Sequence, residues 1–214
     1  MTARKASRQR AILRDQKFPT DFKGMYHKEA SEAIASCVVS NFENVSVLDR
    51  TISVLGQMNP GKIGTQRRIN ANVNAIERFK TMLDNLDLHA ANPTLGENSP
   101  RKLMIQNVDI SVRPEILLTG QGKNGAKLVE AMKLHFSTTN PLDEGAGGYI
   151  SAVLQEWSKA YLHDGETFGP YCYVIDVGSS KAHKGTKATT ARLKDVEDTC
   201  RNIAALWPSI TEED

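Results

Sequence analysis

Cysteine is scarce in this chain: Cys37, Cys172 and Cys200 are the only three among 214 residues, and no two form a CxxC pair. An odd, scattered set of thiols argues against a disulfide framework and against a metal site built from cysteine pairs. Each lies inside an apolar pattern, which predicts buried free thiols. Long hydrophobic runs are also missing. None approaches the roughly 20 residues of a membrane span, and the N-terminus MTARKASRQR has no apolar stretch behind its charges. The expectation is therefore a cytoplasmic protein with no membrane partner. There is no internal repeat, no low-complexity segment and no GxSxG element. His27, His135 and His183 show none of the HxxxH or HxH spacings of a zinc site. The one glycine cluster, Gly145, Gly147 and Gly148, lacks the lysine and the preceding strand of a P-loop, so it predicts a flexible start to a helix.

What is present is the composition of a folded domain: 40% hydrophobic and 24% charged residues, enough for one substantial core. The net charge of +2 hides an uneven distribution. Residues 1–25 form a basic arm with Arg4, Lys5, Arg8, Arg10, Arg14, Lys17 and Lys23 against Asp15 and Asp21, whereas the chain ends on Glu212, Glu213 and Asp214. A basic arm can screen phosphate charge; it is also what a solvated terminus looks like.

Residues 26–214 read as a single domain with a helical lobe over about 45–90. Tyr26, Ala30, Ala33, Ile34, Cys37 and Val38 recur at helical spacing, as do Val45, Leu48, Ile52 and Leu55 before the stop Asn59-Pro60-Gly61. A third helix, about Thr65 to Leu86, has Ile69, Val73, Ile76 and Leu83 on one side. Its other side carries Arg67, Arg68, Arg78 and Lys80 with Asn70, Asn72 and Asn74, a wet face that could also meet nucleic acid. Asn92 to Pro100 is rich in turn formers and reads as a connection from lobe to sheet.

The period then changes from helical to two. Leu103 and Ile105 alternate, and Val108, Ile110 and Val112 continue out of phase, which suggests a bulge near Gln106-Asn107. With Glu115 to Leu118 and Ala126 to Phe136, the pattern predicts three consecutive antiparallel strands. A helix over about Gly147 to Leu162, a buried strand Tyr171 to Val177, a basic stretch with Lys181, His183, Lys184 and Lys187, and a last helix Thr189 to Leu206 follow. Asp176 lies inside the buried strand, where a carboxylate needs partners. The fold class predicted is α/β, with a mixed central sheet of about four to five strands flanked by helices.

Pro114-Glu115 falls at the start of the second strand and Lys133 in the third. This order and these residues resemble the PD-(D/E)XK nuclease superfamily, in particular its RecB-like exonuclease branch, over about Tyr26 to Trp207. The resemblance implies a restriction-endonuclease-like sheet. It also implies a site in which Glu115 and a second acid hold Mg²⁺ (or Mn²⁺) while Lys133 positions the attacking water. The second acid should stand two residues before the lysine, on the same face of the strand. Position 131 is alanine instead. Glu130 could serve if a bulge at Ala131-Met132 brought it round; Glu29 or Glu32 on the first helix of the domain could substitute; or the metal is lost and binding alone retained. The branch also implies groove contacts from the helix after the lysine strand, to which Gln155 and Tyr161 are loose matches; the four-cysteine iron–sulfur cluster of some members is absent, since the chain has only three cysteines.

The function expected is hydrolysis of DNA phosphodiesters by a metal-dependent deoxyribonuclease. The alternative is an inactive nuclease-fold protein that holds nucleic acid or a protein partner through Arg67, Arg68, Lys181 and Lys184. An α/β interaction module without nucleic acid, and a homo-oligomer, stay open.

Overall fold

The computed structural model describes residues 6–19, 26–88, 91–122, 124–167 and 169–213. It is an α/β fold in which a mixed sheet lies between a helical lobe and a pair of C-terminal helices.

Residues Ala6–Lys17 of the basic arm form α1. Two of its cations serve the protein's own C-terminus: the Arg10 guanidinium donates to the Ser209 carbonyl at 3.0 Å, and Lys17 Nζ donates to the Trp207 and Ile210 carbonyls at 2.8 and 3.0 Å. Cations at orphaned carbonyls after a helix are in a favourable field. Arg4, Lys5 and Lys23 lie outside the described residues.

The lobe consists of α2 (Lys28–Val39), α3 (Ser46–Gln57) and α4 (Ile63–Lys80). The apolar stripes read from the sequence face inward: Ala30, Ile34, Cys37, Val38, Leu48, Ile76 and Phe79 are fully buried. Asn72 of α4 is buried with them, because its side-chain oxygen accepts from the Ala30 N–H at 2.8 Å and its amide donates to the Tyr26 and Arg68 carbonyls at 2.9 Å. That amide staples α4 to the start of α2.

The main sheet contains β1 (Asn92–Leu95), β4 (Ile116–Gln121), β5 (Lys127–His135), β7 (Tyr173–Asp176) and β8 (Lys181–Lys184) in that order, with the short β6 (Glu166–Thr167) also on β5. β1, β4 and β5 are antiparallel, β5 and β7 are parallel, and β8 returns antiparallel. The parallel pair is joined by α5 (Glu144–Tyr161), which Asp143 caps by accepting from the Ala146 N–H at 2.7 Å. The last helix, α6 (Thr190–Leu206), packs on α5.

Two expectations are corrected. Asn92 to Pro100 is not merely a connection: its first four residues are β1, the first strand of the sheet. Leu103–Ile105 (β2) and Val108–Ile110 (β3) do not enter the sheet but pair with each other as a separate hairpin. The change of phase between them is the two-residue turn Gln106-Asn107, both at positive φ (49° and 61°), rather than a bulge. Two such residues are what a type I′ hairpin turn requires.

The core has two layers. On the lobe side, Ile116, Leu118, Leu128, Met132, Leu134, Tyr173 and Ile175 pack against α2 to α4; on the other, Ala131, Cys172 and Val174 pack against Leu154 and Trp157 of α5. All three cysteines are free and buried. Among the described residues no helix is long and apolar enough to cross a membrane.

Candidate functional site

The Pro114-Glu115 step enters β4 with Pro114 buried, and the register places Glu115 across from Lys133, one step before the pair Ile116–Met132. Glu115 Oε1 accepts from Lys133 Nζ at 2.5 Å, and Oε2 accepts from the Leu134 N–H at 2.7 Å. Lys133 Nζ also donates to the Arg113 carbonyl at 2.8 Å. The side chains are 18% and 31% exposed, so the pair is largely shielded from solvent. From the other side the Gly96 N–H donates to the Glu115 carbonyl at 2.9 Å. Gly96 is required there: a Cβ would stand 2.1 Å from the Pro114 carbonyl oxygen. The acid and lysine singled out in the sequence are thus brought together. Both carboxylate oxygens are engaged.

The second acid is not brought to them. β4 and β5 pair without interruption from Ile116–Met132 to Gln121–Lys127, so no bulge forms at Ala131-Met132. The physical reason is that β5 is held on both edges, by β4 and by β6 and β7. Glu130 consequently keeps the parity of Leu128 and Met132 and faces the lobe, fully buried, on the side opposite Lys133. Glu29 is engaged by the Arg68 guanidinium on α4; its Oε2 is buried without a hydrogen-bond partner. Glu32 is exposed and pairs with Lys28 at 3.8 Å. Among the described residues no group of three or more His, Cys, Asp or Glu side chains converges. As placed, Glu115, Glu130 and Glu29 do not form the two-carboxylate donor set that Mg²⁺ or Mn²⁺ would need beside Lys133.

Asp176, on the same strand face as Lys133 by register, is fully buried and satisfied locally. Its Oδ2 accepts from the Leu142 N–H at 2.8 Å and the Ser179 hydroxyl at 2.6 Å, and Oδ1 from the Ser179 N–H at 3.3 Å. It ties together the loops that leave β5 and β7. Burial, and secondarily the charge of Glu130, push the Cys172 thiol up, which favours the neutral thiol over the thiolate.

Gln155 and Tyr161, named for groove contacts on α5, both have partners within the protein. Gln155 is buried, its amide donating to Ser151 Oγ at 3.3 Å and to the Thr186 carbonyl at 3.1 Å. Tyr161 donates its hydroxyl to the Lys102 carbonyl at 2.7 Å beneath the Arg101 guanidinium. Both hold α5 in place, because amide and phenol groups on the packed side of a helix must find partners. Arg67, Lys181 and Lys184 are exposed, with Lys184 Nζ 5.9 Å from the centre of the Tyr173 ring, whereas Arg68 is spent on Glu29.

A different constellation forms at the carboxyl end of β5, a position where open α/β sheets commonly bind ligands. A cleft of about 580 Å³ lies between the lobe and the segment after β5, lined by Tyr26, His27, Arg78, His135, Phe136 and the hydroxyls of 137–139. No acid lines it. His27 stacks on Phe136 with ring centres 4.9 Å apart and planes 9° from parallel, and Tyr26 meets His27 edge-on at 5.2 Å. Tyr26 is 48% exposed. Burial, then the nearby Arg78 charge, lower the His27 pKa below its ordinary value. The sequence flagged Arg78 on the basic face of α4. It gave no sign that this face, the start of α2 and the end of β5 would meet.

Comparison with known proteins produced no matching family model, no matching curated protein and no matching solved structure.

Proposed function

We propose that the chain binds nucleic acid through the cleft at the carboxyl end of β5, and that the Glu115–Lys133 pair braces the sheet instead of hydrolysing a phosphodiester. The observation that carries this is the lining of the cleft: Arg78, His27 and His135, with no carboxylate among the described residues, and an exposed Tyr26 beside them. A guanidinium answers a phosphate, and a half-exposed phenol ring offers a face on which a base can stack. The architecture is an α/β fold with a mixed sheet flanked by helices, in which the acid and lysine are closed on each other.

A second reading, a metal-dependent deoxyribonuclease, is favoured by one feature, the direct opposition of Lys133 and Glu115 behind a proline. One experiment separates the two. Fluorescently labelled single- and double-stranded DNA is titrated at two salt concentrations, then incubated with Mg²⁺ or Mn²⁺. Salt-sensitive binding without cleavage, weakened about tenfold by Arg78→Ala, supports the binding protein. Metal-dependent cleavage abolished by Lys133→Ala selects the nuclease. With neither binding nor cleavage, both readings fall and an α/β protein-interaction module remains.

A further inference from the structure

A second pocket, of about 310 Å³, lies between α5, β8 and the first turn of α6, lined by Ser151, His183, Thr186, Thr189 and Arg192, with the exposed Glu144 the one acid among the described residues that line it. We infer that this pocket binds a phosphate-type oxyanion. It lies beyond β8, at the opposite edge of the sheet from β1, and does not depend on the cleft at β5.

His183 Nε2 is buried and has no hydrogen-bond partner. An enclosed imidazole nitrogen left this way carries a desolvation cost that a ligand would remove. Arg192 makes no ion pair and no hydrogen bond among the described residues, although its guanidinium is laid against the α5 backbone. Both side chains reach their places because of the glycine pair. A Cβ at Gly147 would stand 2.5 Å from the His183 ring, and one at Gly148 would stand 2.6 Å from Arg192 Nε and 2.9 Å from Nη2. Gly147 and Gly148 thus seat an imidazole and a guanidinium directly on a helix that any other residue would keep at a distance. Thr189 precedes α6 without a side-chain cap, and the first turn of α6 contains no acid, so its N–H groups add to the positive side of the pocket. Ser151, 2% exposed, forms part of the floor, its hydroxyl turned to Cys172 Sγ at 3.5 Å. Donors therefore come from β8 and from α6, and one tetrahedral anion can accept from several of them at once. The source of the phosphate is the end of a nucleic-acid strand or a free phosphate.

The test uses the full chain and inorganic phosphate, followed by calorimetry and by the ring signals of His183 in NMR. One saturable site is expected, with His183 shifting as it fills. Gly148→Ala is the informative variant: alanine is the better helix former, so the fold is retained, while the new methyl pushes away the flexible end of Arg192. Phosphate affinity should fall about tenfold or more, with Arg192→Leu doing the same and Arg78→Ala leaving it unchanged. Oligonucleotides with and without a 5′-phosphate distinguish the sources. A preference for the phosphorylated strand that disappears in Gly148→Ala assigns the site to strand ends, and equal affinity for the two assigns it to free phosphate. Absence of saturable phosphate binding, or binding equal in wild type and both pocket variants, overturns the inference.

Discussion

If Glu115 and Lys133 brace the sheet, breaking one partner must cost stability that removing both does not double. Fully exposed ion pairs contribute about 0–1 kcal/mol, and breaking a fully buried one costs about 3–5 kcal/mol. With side-chain exposures of 18% and 31%, this pair lies between those limits. Lys133→Met leaves Glu115 Oε1 without its cation but keeps the bond from the Leu134 N–H, at a cost of about 2 kcal/mol. Glu115→Gln preserves an acceptor for Leu134 and turns an amide donor toward the ammonium, again costing about 2 kcal/mol. In the double variant no unpaired charge remains, so its loss should be about 2–3 kcal/mol rather than the sum of the singles, a coupling of about 1–2 kcal/mol. Urea unfolding followed by circular dichroism at neutral pH measures all four proteins. Because the pair is shielded, high salt should reduce the coupling only modestly. Additive losses, or a coupling under about 0.5 kcal/mol, would refute the brace and return Lys133 to the pool of groups free for chemistry.

Two further outcomes follow from the same geometry. Gly96→Ala places a methyl against the Pro114 carbonyl, which is backbone and has nowhere to retreat; it should destabilise the fold by about 2–3 kcal/mol in the same unfolding assay, and a loss below about 0.5 kcal/mol would show that β1 does not clamp the Pro114-Glu115 step. His27 has a lowered pKa in the folded state. Well above its ordinary value of 6.5 both folded and unfolded chains carry it neutral and it contributes nothing; as pH falls through 6.5 the unfolded chain takes up the proton first, so stability declines until the folded pKa is passed. The melting temperature of wild type minus that of His27→Gln, followed from about pH 7.5 to about pH 5, should therefore fall with pH, and a flat difference would remove burial as the cause.

The half-motif was legible because its parts lie in neighbouring strands. A proline before Glu115 and a period-two run around Lys133 predict antiparallel partners, and residues facing across one ladder must meet. The same parity rule put Glu130 on the wrong face, and the sheet kept it there. β1 was hidden behind Pro93 and Gly96, which signal a turn in isolation. At a sheet edge one side of the ladder goes unpaired, so proline is tolerated, and the missing Cβ is what lets the strand close on Pro114.

By itself the sequence determined the periodic elements: the helices of the lobe, α5, α6, β4, β5 and β7, each written in the spacing of its apolar residues. It determined as well that three thiols would be buried and free, because hydrophobic burial acts on any face that repeats in phase. Only the tertiary structure decided which segments became neighbours. The cleft joins the start of α2, the basic face of α4 and the end of β5. The phosphate pocket joins α5, β8 and the approach to α6. No local pattern records such meetings, since they depend on how the sheet is ordered and how two core layers pack. Gly145, Gly147 and Gly148 show the division most clearly: as sequence they were a loose helix start, and in the fold Gly147 and Gly148 are the places where a histidine and an arginine come to rest on α5.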